Sequence, residues 1–151
     1  MQDAATIVAT RDDYLQARDA IVSLLPTAVV QGEPARWKSI VAEVEGGTIT
    51  FNSLAYTGPM DQYSRILMPL TNRFDEVRTN NKWAKERALG ALDQCDLMIG
   101  VTASPSFEAD PRFPECLAVA AEAVNGLIFT GEALVEPRGR LVLSFSGQSE
   151  L

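Results

Sequence analysis

The chain contains no histidine. That absence removes the Ser-His-Asp and Cys-His nucleophile systems, the commonest general base near neutral pH, and every zinc site built on imidazole. Cysteine is almost as scarce. Cys95 and Cys116 are the two present, too few for a disulfide framework and unable to complete a four-ligand zinc site without help from carboxylates. Both are expected as reduced, small core side chains. A metal enzyme would be confined to an all-oxygen site of the Mg²⁺ type.

Long apolar runs are missing as well, and no stretch approaches the roughly 18 residues of a membrane helix. The opening MQDAATIVATRDD carries acid rather than a basic n-region, so a secretory leader is not expected and the protein reads as cytoplasmic. Neither G-x-G-x-x-G nor G-x-x-x-x-G-K-[ST] occurs, which argues against a phosphate cradle. The nearest approach is MIGVTASPSFE (98–108), where Thr102, Ser104 and Ser106 follow an apolar run. Pro105 removes an N–H there, and acids rather than Lys or Arg follow. These gaps point away from an enzyme, and no cofactor is expected.

Positive charge is in short supply: 13 Lys and Arg stand against 20 Asp and Glu, for a net charge of −7. Phosphate would be repelled by such a surface, so nucleic acid is a poor partner and a cationic protein a better one. The charge is unevenly spread. Residues 1–64 and 93–151 are net acidic, whereas 65–92 hold six basic and three acidic side chains.

What remains is an ordinary globular composition, 46% hydrophobic and 22% charged over 151 residues, which suits a single domain spanning 1–151. ATIVA (5–9) reads as a short strand. Thr10 reads as the N-cap of the next helix, with Asp13 three residues on as its capping-box partner. That helix carries Tyr14, Ala17, Ile21, Leu24 and Leu25 at helical spacing and ends near Pro26, with Gly-Glu-Pro (32–34) as a breaker.

WKSIVAEVEGGTITFNSLAY (37–56) is a hairpin in pattern. A two-residue turn at Gly46–Gly47, both at positive φ, would pair Glu45 with Thr48 and Val44 with Ile49. One face then collects Ile40, Ala42, Val44, Ile49 and Phe51; the other collects Glu43, Glu45, Thr48, Thr50 and Asn52. This predicts one covered and one wet face.

From Pro59 a helical pattern runs through Met60, Tyr63, Ile66, Leu67, Leu70, Phe74 and Val77; Pro69 inside it is expected to kink or divide it, and Asn80–Asn81 is a further weak point. A second piece carries Trp83, Ala84, Ala88 and Leu92. CDLMIGVTA (95–103) reads as a buried strand. Asp110 with Pro111 would start a helix that ends in an αL cap at Asn125–Gly126. GLIFT (126–130) and a hairpin around Pro137-Arg-Gly complete the chain.

The expected fold is α+β: a mixed sheet with helices packed mainly on one face, in a ferredoxin-like βαββαβ order extended by an αβ unit and a C-terminal β-hairpin. NGLIF…GRLVLSFSGQSEL, within residues 125–151, resembles the C-terminal part of an uncharacterised bacterial protein family that carries a GLIF strand and a GRL-[IV]-L hairpin. The resemblance implies a bacterial, cytoplasmic protein and transfers no catalytic residue.

Two functional classes follow. A non-enzymatic acidic interaction module, of the immunity or accessory-binding type, would engage a protein partner, cationic in the simplest case, through Glu43, Glu45, Glu108, Asp110, Glu132 and Glu136. Against this, exposed carboxylates are usually solvated surface, and Asp110 has its cap role. The alternative is a ligand-binding or enzymatic domain with a pocket between the sheet and the 60–94 helices, lined by Tyr56, Tyr63, Arg65, Trp83 and Cys95. Ordinary core packing competes with it. Arg78, Lys82 and Lys85 beside Trp83 would form, on an unbroken helix, a cationic stripe for docking an anion such as RNA or an acidic protein. An open edge on the terminal hairpin leaves room for a homo-oligomer.

Overall fold

A computed structural model describes residues 2–151. Strand β1 (Asp3–Ala9) leads into helix α1 (Tyr14–Leu24), then a meander of β2 (Val29–Glu33), β3 (Arg36–Val44) and β4 (Gly47–Leu54). Helices α2 (Gln62–Asp75) and α3 (Lys82–Asp93) precede β5 (Leu97–Ser104) and α4 (Arg112–Ala123). Strands β6 (Leu127–Phe129), β7 (Ala133–Val135) and β8 (Leu141–Ser144) finish the chain.

The class is α+β, but the sheet differs from the expected one. All eight strands pair antiparallel, in the order β2-β3-β4-β5-β1-β6-β7-β8, rather than as a mixed sheet. A ferredoxin-like order would set β4 beside β1, whereas β5 lies between them. A split βαβ unit does occur elsewhere: β5 and β6 run the same way, are joined by α4, and admit β1 between them. Strand β2 has no counterpart in the sequence reading. It is an edge strand that buries little, so its side chains show no alternation, and Gly32 at φ 96° and Pro34 read as breakers although they serve a bulge and a turn.

Helices cover both faces, not mainly one. Ile7 and Ala9 of β1 pack with α1 and α4 through Tyr14, Ile21, Phe113 and Cys116. Val8 points the other way, toward Leu70, Phe74, Ala84, Ala88 and Leu92 of α2 and α3. A strand enclosed on both sides carries an unbroken apolar run, as IVA of β1 and LMIGV of β5 do.

The hairpin keeps the expected faces but not the expected register. Val44 pairs with Gly47 and Ala42 with Ile49, a slip of two residues that places Glu45 and Gly46 in the turn. A two-residue slip preserves the faces because side chains alternate with period two. Neither glycine has positive φ; a Cβ on Gly46 would run into the Ala109 carbonyl, and one on Gly47 into that of Ser104. The pair is needed for close approach, not for turn geometry.

Helix ends follow side-chain chemistry. Asp13, not Thr10, caps α1 by accepting from Gln16 N at 3.1 Å. Thr10 instead donates to the Asn125 carbonyl at 2.7 Å and accepts from Asn125 Nδ2, tying the start of α1 to the end of α4. That end is the expected αL cap: Asn125 has φ 49°, and Gly126 N donates to Ala121 O at 2.8 Å. Helix α2 runs through Pro69, and the break falls between Asp75 and Lys82, with Asn81 capping α3. Arg78 therefore lies off any helix and the expected Arg78–Lys82–Lys85 stripe is not one helical face; Lys85 Nζ turns back to the Val77 carbonyl at 3.0 Å.

The terminal hairpin does not expose the edge expected of it. Ser144 N donates to Gln148 O, Glu150 N to Leu141 O, and Leu141 N to the Glu150 carboxylate, so the chain's own last residues occupy the outer side of β8. Among the described residues no helix is long and apolar enough to cross a membrane.

Candidate functional site

The two helix pairs are offset along the sheet. Helices α2 and α3 pack under β6, β7 and β8, while α1 and α4 pack over β3, β4, β5 and β1. On the α4 side the sheet beyond β1 is thus left without a helix, and a groove of about 880 Å³ opens there. Its floor is apolar, from Ala5, Ile128 and Val135 of the sheet and Leu117 of α4, with Phe107 at one end. Its rim is acidic: Asp3, Glu108, Glu115 and Glu136 face a single cation, Arg138.

Each rim residue is placed by a local device. A single 3-10 turn, Phe107–Ala109, carries Glu108, and Asp3 Oδ2 fastens it to the start of β1 by accepting from Phe107 N at 3.0 Å. The β3–β4 turn rests against the same segment, since Gly46 abuts Ala109. Arg138 projects from the Pro137-Arg-Gly turn, where Gly139 takes φ 98°. Its guanidinium spans Glu115 (Nη1–Oε2 2.8 Å) and Glu122 (Nη2–Oε1 2.6 Å), two turns apart on one flank of α4. These hydrogen bonds raise the Arg138 pKa, Glu122 first. All three side chains are about half exposed, so the clamp positions the turn more than it stabilises the fold. With Arg138 committed, Glu108 is exposed and makes no ion pair among the described residues.

The structure separates the six acids expected to act together. Glu108 and Glu136 meet at the groove; Glu136 also lies 3.7 Å from Arg87 and 3.8 Å from Arg140. Glu45 sits at the hairpin tip, next to Gly46 and so beside the Phe107–Ala109 turn. Asp110 is spent: its carboxylate binds the Arg112 guanidinium at 2.8 Å and accepts from Arg112 N at 2.8 Å. Glu43 is exposed on the opposite sheet face, with Thr48 as its cross-strand neighbour, and Glu132 is exposed in the β6–β7 turn. Asp3, Glu115 and Arg138 escaped the sequence reading. Only the seven-residue spacing of Glu115 and Glu122 on a helix hinted at a shared partner.

The five residues of the alternative pocket are partly gathered. Tyr56 and Tyr63 meet edge to face at 6.1 Å, and the Tyr63 hydroxyl donates to the Cys95 carbonyl at 2.7 Å. Burial, followed by that hydrogen bond, raises the Tyr63 pKa, and burial raises that of Cys95. Trp83 is 78% exposed and Arg65 is exposed. None of the five lines the groove. Cys116 is fully buried and pushed up to about 12 by burial, so it is inert as a nucleophile.

The bond from the Arg112 guanidinium and then that from the Arg112 N–H hold the Asp110 carboxyl down at about 2, against an ordinary 3.8. The stabilisation this pair supplies is complete above the ordinary value and lost as pH falls through about 2. Asp110→Asn is therefore expected to lower the melting temperature at neutral pH, with the gap to the parent closing in strong acid; a gap that does not change with pH removes the carboxylate from the argument.

Among the described residues no three His, Cys, Asp or Glu side chains form a metal-binding group. The groove combines an apolar floor with an acidic rim and one guanidinium. No protein-family model, curated protein or solved structure matches the chain.

Proposed function

We propose that this protein is a non-enzymatic, acidic interaction module, in the bacterial setting that the C-terminal resemblance implies. Its groove between α4 and the β6–β7 arm receives a cationic segment of a partner protein. The observation that carries this reading is an apolar floor with an acidic rim, on which Glu108 makes no ion pair among the described residues and the one lining guanidinium, Arg138, is already bound. An apolar floor supplies affinity, and the rim charges set the rate of encounter and the salt dependence. The excess negative charge elsewhere on the chain adds to the steering.

Capture from the source lysate with the parent and with Glu108→Lys/Glu136→Lys tests it. One stoichiometric basic partner is expected on the parent, released as salt rises and lost from the variant. If the variant keeps every partner that the parent binds, the groove is not the receptor.

The groove volume also falls within the roughly 300–1,000 Å³ of small-molecule sites, which favours a small organic cation as the second reading. A saturable rise in melting temperature with such a cation and no protein partner would select it.

A further inference from the structure

We infer that the cationic segment is carried by a second copy of this chain, so that the α2–α3 layer of one molecule docks head-to-tail in the α4 groove of the next. This rests on the reading of the groove as a receptor for cations. The chain displays the required ligand on its other face: residues 65–92 hold six basic and three acidic side chains, the reverse of the balance on either side. Arg65, Arg78 and Lys82 in this layer make no ion pair among the described residues. Beside Lys82 stands Trp83, 78% exposed on α3, with Met68 63% exposed on α2.

An exposed indole on a layer whose Arg65, Arg78 and Lys82 make no ion pair among the described residues is the chemical complement of an apolar floor rimmed by carboxylates. Buried Trp and Arg dominate interface energetics, and rim charges select the partner. A molecule of net charge −7 repels its copy at long range. Association therefore needs opposite signs facing each other at contact, within the screening length of about 8 Å at physiological salt. The two surfaces lie on opposite faces of one sheet, since α4 belongs to one core layer and α2 and α3 to the other. A two-fold axis cannot satisfy both at once, so the contact is heterologous and leaves a free groove at one end of every oligomer and a free α2–α3 face at the other, unless a ring closes.

The test uses the full chain and two variants changed only at exposed or rim positions. Glu108→Lys spoils the groove; Lys82→Glu/Trp83→Ser spoils the α2–α3 face. In sedimentation at low salt the parent is expected to form oligomers that grow with concentration and dissociate at high salt. Each variant alone is expected to associate about tenfold or more weakly. An equimolar mixture of the two is expected to form a heterodimer and nothing larger, because one intact groove and one intact face remain. A parent that stays monomeric at low salt, or a mixture that stays monomeric, overturns the inference.

A labelled arginine-rich peptide separates that failure from failure of the underlying reading. If the parent is monomeric yet binds the peptide, and Glu108→Lys does not, the groove takes a foreign cationic protein and only self-docking falls. If neither binds, both readings fall.

Discussion

Phe74→Ala is expected to destabilise the protein by about 3–5 kcal/mol, the usual cost of emptying a buried phenylalanine site. Phe74 is the fully buried side chain of α2, and its ring lies 4.7 Å from Phe145 and 6.1 Å from Phe129, with Phe129 and Phe145 themselves 5.8 Å apart. Removing it leaves a cavity bounded by two rings on different segments, and Arg73, 4.1 Å above the Phe145 ring, loses the neighbour that orients its own partner. Domains of this size hold about 5–15 kcal/mol in total, so the variant would sit near the edge of folding. Chemical denaturation measures the loss. Hydrogen exchange should show α2 opening first, since Phe74 anchors it to the β6 and β8 ends of the sheet. A loss below about 1 kcal/mol would mean that the three rings do not form one packed unit.

Trp37→Ala is expected to cost a similar amount, about 3–5 kcal/mol, through the other core layer. Trp37 is fully buried, meets Tyr14 edge-on at 5.7 Å, and donates its indole N–H to the Tyr14 carbonyl at 2.7 Å. Those contacts bind the start of α1 to β3, two elements that no ladder joins. Trp37→Phe separates the contributions: it keeps most of the apolar volume and removes the donor, and a loss of about 0.5–1.5 kcal/mol is expected from the hydrogen bond. If the phenylalanine variant is as unstable as the alanine one, the hydrogen bond rather than the packing governs this corner.

Much of the local structure was legible beforehand. Asn125–Gly126 stops α4 where the αL cap requires it, and Gly126 also allows β1 to pass close, since a Cβ there would meet Val8 O at 2.8 Å. Of the hairpin's inward set, Ile40, Ala42, Ile49 and Phe51 are buried and Val44 half-buried; on the other face Glu43, Glu45 and Asn52 are exposed, with Thr48 and Thr50 half-buried. The groove was legible only in fragments. Glu108 and Glu136 were recognisable as candidate acids, but nothing in a linear pattern says that a turn at 107–109 and a strand end at 136 meet across β1. Asp3 and Arg138 were invisible for the same reason, because their partners, Phe107 and the pair Glu115 and Glu122, lie far off in the chain.

The sequence alone determined which side chains point inward in the β3–β4 hairpin and the helices, and where α4 ends. Both follow from short-range causes: the side-chain period of the element and the capping of amides within one turn. Tertiary structure alone decided the strand order, the two-residue register and the groove. The carbonyls of Ser104 and Ala109 exclude any side chain at Gly47 and Gly46, and α2 and α3 chose the face of β6, β7 and β8 opposite α4. Those outcomes depend on which distant segments share a surface, and burial rewards any apolar surface alike, so no single segment encodes them.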